Sequence, residues 1–262
     1  MYDFNYQRAT SVDDAASKYD AADDARYLAG GMTMVPVLKQ RLDQPSDVVD
    51  LGGLDDLRGI SEDGGAIVVK AMTTHHEVNT SDLVKSKIPA LAELAGTIGD
   101  PMVRNRGTIG GSLANNDPAA SYPAAVLGLG ATIQTNKRSI EADDYFTGMF
   151  ETALEEGELI TAVSFPVPEK AGYKHFPNPA SRYPIVGAFV AQTGGGVRVG
   201  ITGAAPCAYR QTEFEEALAG GLDPESLKGI DVSADGMNSD IHASSEYRAH
   251  LVNVMARRAI GG

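Results

Sequence analysis

The chain of 262 residues has one cysteine, Cys207, and no tryptophan. A lone thiol cannot close an internal disulfide, complete a zinc ribbon or hold an iron–sulfur cluster without help from another chain. Positive charge is also scarce: 22 lysines and arginines face 35 acids, for a formal charge of −13. Coating a polyanion requires clustered Lys and Arg, so nucleic acid is not an expected partner. Arg257-Arg258 is only a basic pair near the end of a helical pattern, where it suits the helix dipole. No apolar run approaches the roughly 18 residues of a membrane span. The segment after Met1, "YDFNYQRATSVDD", has neither the apolar core nor the basic leader of a signal peptide. A cytoplasmic chain without a transmembrane segment is expected.

What is present suits a globular protein, with 43% hydrophobic and 22% charged residues and length enough for two or three lobes. "SVDDAASKY" reads as a helix capped by Ser11, "ARYLAGG" as a strand ending in two glycines, and "TMVPVLKQRL" as a helix capped by Thr33. "SDVVDL" and "GAIVVKAM" are strand patterns; "TTHHEVNTSDLVKS" and "IPALAELAGTI" carry helical spacing. "PAAVLGLGATIQT" reads as a helix passing into a strand, and "ELITAVSFPVP" as a strand closed by prolines. A proline-rich stretch from Pro166 to Pro184 then places a lobe boundary near Pro166–Gly172. "PIVGAFVAQTGGGVRVGITGAA" predicts a hairpin about three glycines. Helices are predicted at "TEFEEALAGG", "DPESLKG" and "SSEYRAHLVNVMARRAI", the last with Tyr247, Leu251, Val254 and Met255 on its apolar face. The lobes read as 1–55, 56–168 and 169–262.

Two places share one design. "LAGGMTM" (28–34) carries Gly30-Gly31 between a strand and a helix, and "RGTIGGSLANND" (106–117) carries Gly110-Gly111 between Thr108 and Ser112. Glycines admit positive φ and remove the Cβ that keeps a ligand off the backbone. Successive N–H groups can then hold an anion, with hydroxyls from Thr33, Thr108 and Ser112 as further donors. Neither loop is a G-x-x-x-x-G-K-[ST] P-loop or a G-x-G-x-x-G turn. An ordinary tight turn remains the alternative for each.

"YLAGGMTMVPVLKQRL", "KAMTTHHEV", "VRNRGTIGGSLANNDPAASYPAA" and "SSEYRAHLVNVMARR" together resemble the FAD-binding medium subunit of molybdenum hydroxylases, the group containing carbon monoxide dehydrogenase and xanthine dehydrogenase. The resemblance runs from about Tyr2 to Ile260. It implies an α+β, vanillyl-alcohol-oxidase/PCMH-type (VAO/PCMH) FAD fold of two lobes, followed by a C-terminal lobe of small antiparallel sheet and helices. It further implies a flavoprotein electron-transfer component of an oxidoreductase. Electrons would pass from a molybdopterin-binding large subunit, through the [2Fe–2S] clusters of a small subunit, to non-covalent FAD here. A terminal acceptor (quinone, NAD or oxygen) would follow, in a dimer of heterotrimers. Molybdopterin and clusters would lie only on the partners. A self-contained flavoprotein oxidase or dehydrogenase of the same fold is the alternative, and a scaffold that has lost flavin is a third.

By this resemblance Ala29, Gly30, Gly31, Met32, Thr33 and Met34, with Thr108, Ile109, Gly110, Gly111 and Ser112, wrap the FAD diphosphate. Asn115 and Asp117 lie toward sugar or ribityl hydroxyls. Tyr183 either stacks on the isoalloxazine ring or packs at a strand entry. No catalytic residue and no metal ligand is assigned. Ser121 stands where many relatives carry an acid, so it supplies no carboxylate acceptor. His75-His76 reads as a helix-terminal structural pair or a flavin-edge contact, without a metal constellation. Arg104 and Arg106 could offset phosphate, and Arg104 could equally pair with Asp100 or meet a partner. Asp117-Pro118 also reads as a helix start, and Cys207 as a thiol without chemistry.

Overall fold

The computed structural model describes residues 1–261, and alternation of strand and helix begins at once. β1 (Asn5–Arg8), α1 (Val12–Asp20), β2 (Ala25–Leu28), α2 (Met34–Lys39) and β3 (Asp47–Asp50) follow one another. The strands form a parallel sheet in the order β1-β3-β2. β3 is central, and its Val48 and Val49 are buried, as expected for a parallel strand covered on both faces. β1, "NYQR", carries no apolar alternation and was not legible as a strand; β3 supplies its partner groups. Ser11 caps α1, its hydroxyl accepting the Asp14 N–H at 3.0 Å. Thr33 does not cap α2: it has helical backbone angles and its side chain makes no cap bond.

β4 (Ile60–Asp63) and β5 (Ala66–Lys70) open the next sheet. Then come α3 (His75–Thr80), α4 (Asp82–Lys87), α5 (Pro89–Thr97), α6 (Pro101–Arg104), α7 (Ile109–Asn115) and α8 (Tyr122–Leu129). β6 (Thr132–Thr135), β7 (Ser139–Glu141), α9 (Ala142–Tyr145), the hairpin β8 (Phe146–Gly148) and β9 (Glu151–Thr152), and β10 (Ile160–Pro166) complete the unit. Its five strands pair antiparallel in the order β4-β5-β10-β6-β7. The helical pattern across 73–86 is two helices. Thr74 and Glu77 form a capping box at the start of α3, and the Ser81 hydroxyl accepts from Val84 to start α4.

The last sheet is β11 (Lys170–Pro177), β12 (Pro184–Thr193), β13 (Gly196–Thr202) and β14 (Tyr209–Arg210), antiparallel in that order. The hairpin turns at Gly194-Gly195, as the three glycines predict, and Gly196 takes a φ of +111°. β11 lies within the proline-rich stretch, where the prolines hid it. α10 (Thr212–Ala217) and α11 (Ser245–Gly261) follow, while "DPESLKG" is a 3-10 turn, Pro224–Leu227, rather than a full helix. α11 buries Arg248, Leu251, Val252, Met255, Ala256 and Ala259, whereas Tyr247 is exposed and Val254 only half-buried. The small residues turn inward because α11 lies close on the sheet: a Cβ on Gly172 would stand 1.9 Å from the Ala259 carbonyl oxygen.

α8 ties the last two sheets together. Every residue from Tyr122 to Leu129 is buried, which its apolar, faceless pattern demands. β13 approaches so closely that a Cβ on Gly200 would sit 2.1 Å from the Ala124 carbonyl oxygen. No helix among the described residues is long and apolar enough to cross a membrane.

Candidate functional site

The two glycine loops, one after β2 and the other before α7, meet in the folded chain. A Cβ on Gly30 would lie 2.0 Å from the Arg106 carbonyl oxygen and 3.0 Å from the Gly107 Cα. Gly111 faces Ala29, with 3.5 Å between Cβ positions. Gly110 presses on β5's end, where a Cβ would come within 2.7 Å of the Ala71 Cβ. Gly30 and Gly110 are therefore bare because protein backbone approaches them, a reason that ligand contact alone did not supply. Gly31 has the positive φ, +74°, that the turn into α2 requires.

The loops differ in what their amides do. In the second, Ile109 N–H donates to the Thr73 carbonyl (3.1 Å) and Gly110 N–H to that of Ala71 (2.9 Å). Gly111 N–H donates to the Thr108 hydroxyl at 3.2 Å. In the first, the N–H groups of Gly30, Gly31, Met32, Thr33 and Met34 find no acceptor among the described residues. Backbone donors are almost always partnered, so this run is a cradle for an anion or water. What the second loop presents is the bare Gly111 and the Ser112 hydroxyl, which has no hydrogen-bond partner among the described residues. The expected symmetry of the loops is corrected: one donates, the other braces.

Arg104 is not free to neutralise a phosphate and does not pair with Asp100. Its Nη1 donates to the carbonyls of Ile98 (3.0 Å) and Gly99 (3.1 Å), while Asp100 caps α6 through the Val103 N–H. Arg106 is exposed. His75 and His76 point apart: His76 is exposed, whereas His75 is 5% exposed, with Nε2 against Gly107 and Nδ1 buried without a partner. Burial, aided by Arg104, pulls its pKa down to about 4, so the ring is neutral at ordinary pH. The backbone N–H of His75 donates to the Gly107 carbonyl, and its ring tilts against Tyr122. His75 braces the second loop from beneath.

α7 leads about 10 Å away from that contact, at 1.5 Å per residue, to a groove of about 420 Å³. Asp117, Met149, Asn178, Tyr183, Asp240 and Arg248 are among its lining residues. Asp117-Pro118 is not a helix start. Asp117 Oδ1 accepts the Ala119 N–H at 2.8 Å in a turn before α8, because α7 has ended at Asn116 in the left-handed region (φ 41°). Asn116 Nδ2 donates to the carbonyls of Gly148 (2.9 Å) and Glu151 (2.7 Å), anchoring the β8–β9 hairpin. It also lies 3.8 Å from the Cys207 sulfur. Tyr183, before β12, is 47% exposed at the groove. Burial of its hydroxyl end, then Asp117, raises its pKa. Asn115 is half-buried on α7 between loop and groove, and Ser121 is buried. Asn116 and Arg248 are not among the candidates that the sequence pattern singles out. Asn116 had a signal, since asparagine is among the few residues that enter the left-handed region readily; Arg248 lay in a quoted motif, but nothing local revealed its partners.

Residues 2–168 match the family described as FAD binding domain in molybdopterin dehydrogenase. The carbon monoxide dehydrogenase medium chain of Afipia carboxidovorans is 36% identical, with 98% of this chain and 95% of that one aligned. The nicotine 6-hydroxylase medium subunit of Paenarthrobacter nicotinovorans is 35% identical over 97% of this chain and 95% of its own. Reconstituted CO dehydrogenase from Oligotropha carboxidovorans superposes with a TM-score of 0.92 at 35% identity, covering 99% of this chain and 97% of that one.

Proposed function

The chain belongs to the family of the FAD binding domain in molybdopterin dehydrogenase, and from that premise we propose that it is the electron-transfer subunit of a molybdenum hydroxylase complex. It is an FAD-binding medium subunit, an oxidoreductase component with the VAO/PCMH-type fold. In this reading it takes electrons from the [2Fe–2S] clusters of a small subunit, after substrate oxidation at a molybdopterin-binding large subunit, and delivers them to a terminal acceptor. When bound, FAD supplies a centre that accepts two electrons and releases them singly or together.

The observation that carries the residue assignments is the run of five unpartnered amides from Gly30 to Met34. A diphosphate fits that run in a chain of net charge −13, because amides attract an anion without basic side chains. Ala29 to Met34 would hold the diphosphate, with Gly111 and the Ser112 hydroxyl closing over it; Thr108, Ile109 and Gly110 hold the second loop in shape. Asn115 and Asp117 would meet the sugar-alcohol hydroxyls along α7. Tyr183 would offer a ring face to the isoalloxazine and exclude water from it. We assign the diphosphate lobes to 1–55 and 56–168, and the ring wall to 169–262.

Neither histidine is placed as a covalent anchor in this reading, so FAD is held without a bond. The full chain should purify yellow or take up added FAD, and acid precipitation should leave the flavin in the supernatant. Flavin retained on the denatured pellet would overturn non-covalent binding. A folded chain that takes up no FAD would overturn the assignment itself.

A further inference from the structure

A buried arginine joins the two walls of the groove. Arg248, on the inner face of α11, is 5% exposed. Its Nη1 donates to the carbonyls of Ile185 (2.7 Å) and Gly203 (2.9 Å), and its Nη2 to the Asp240 carboxylate (2.7 Å). Its Nε is buried without a partner. Desolvating a guanidinium is costly, and an apolar residue would fill this helix face more cheaply.

The two carbonyls it holds lead to two particular residues. Ile185 lies at the start of β12, two places after Tyr183. Gly203 N–H donates to the Pro118 carbonyl at 2.8 Å, and Pro118 follows Asp117. The Thr202 hydroxyl reinforces this link by donating to the carbonyls of Pro118 (3.1 Å) and Ala120 (2.6 Å). Gly203, at φ +82°, lies so close to β12 that a Cβ would stand 2.6 Å from the Ile185 oxygen. One planar fork therefore fixes Tyr183's strand and Asp117's turn relative to each other. A lysine, with a single point of charge, cannot reproduce that fork.

We propose that Arg248 is a positioning residue for the ring end of the bound flavin. It sets the gap between Asp117 and Tyr183 while leaving the diphosphate end at the glycine loops unaffected. This rests on the proposed function, in which the ring lies at that groove. Arg248 borders the groove, but its Nη1 and Nη2 are already engaged by the two carbonyls and Asp240, so it acts through them rather than as a flavin ligand.

The test compares FAD with ADP, which keeps the diphosphate and lacks the ring, on the flavin-free full chain. Arg248→Lys should bind ADP like the wild type and FAD about tenfold more weakly, the loss expected for a disrupted charged hydrogen-bond set. The visible band of bound flavin should move toward that of free flavin, with the melting temperature of the FAD-free chain nearly kept. Unchanged FAD affinity and spectrum in a folded Arg248→Lys chain would sink the proposal. So would equal losses for FAD and ADP, which mark a general structural role. Should that variant fail to fold, Asp240→Asn decides by the same comparison: its side chain is 46% exposed, and the change removes the charge that fixes the guanidinium through Nη2 while an oxygen remains for the His242 and Ala243 N–H groups. A selective FAD loss supports the proposal, and no selective loss overturns it. Tyr183→Ala and Asp117→Asn isolate the underlying reading. If neither alters the flavin spectrum, the ring is elsewhere and the proposal falls with that reading, whatever Arg248→Lys does.

Discussion

His75 illustrates how one residue's chemistry is decided by its surroundings. On the page it is half of a histidine pair; in the fold it is a neutral buried ring beneath Gly107. Its pKa is lowered from 6.5 to about 4, first by burial and then by Arg104. Between those values the unfolded chain binds a proton that the folded chain refuses, so stability must fall as pH drops from about 6.5 to about 4. Above that window the penalty is absent; below it the penalty is complete. His75→Gln, which cannot titrate, should cost on the order of 1 kcal/mol at neutral pH and flatten that part of the profile. Melting temperatures of both chains across pH 4 to 7 would check it (a range bracketing the shift). An unchanged slope in the variant would mean that His75 does not carry the effect.

Among elements, the two glycine loops separate a structural role from a binding role. Gly30 abuts the backbone of Arg106, so a methyl group there must push the loops apart. Gly30→Ala should lower both flavin content and stability, the latter by about 1–3 kcal/mol as overpacking does. Gly111 differs: a Cβ there would meet Thr108 Oγ1 at 3.0 Å and Ala29 Cβ at 3.5 Å, tight but not blocked. An acid in the first turn of α7 is also compatible with the helix dipole. Gly111→Asp should therefore abolish flavin binding by placing a charge against the diphosphate, with little change in the circular dichroism melt. Flavin content and melt, measured on both variants, separate the roles. Full flavin occupancy in Gly111→Asp would make the second loop a turn only.

At the scale of the molecule, the chain belongs to the family of FAD-binding medium subunits, and the proposed electron-transfer role carries its own prediction. Relatives of this length are named as medium chains and subunits. The isolated chain should be unable to oxidise candidate aldehydes, purines or carbon monoxide with an artificial dye as acceptor. Adding a molybdenum subunit and an iron–sulfur subunit should bring that activity, and leaving this chain out should slow delivery to the natural acceptor. Dye-reduction assays of each combination provide the check. Strong turnover by this chain alone would favour the self-contained flavoprotein.

Local chemistry was open to reading because it depends on neighbours in sequence. Ser11 and Asp14 are three positions apart, so the cap of α1 was visible, and so was the hairpin at Gly194-Gly195. The glycine loops and their flanking hydroxyls were equally plain, and their order along the chain carried the family resemblance. Polar β1 and proline-flanked β11 were not visible, since each is a strand only because another strand pairs with it. Nor did any local pattern show that Gly30 would meet Arg106, or that the second loop's amides would be taken up by Thr73 and Ala71. The same holds for Arg248, whose partners Ile185 and Gly203 lie 63 and 45 positions away. Composition and motif determined which ligand chemistry this chain can host. Only the packing of distant backbone decided which amides stay free to meet it, because a donor's availability is set by every acceptor that the fold brings within reach.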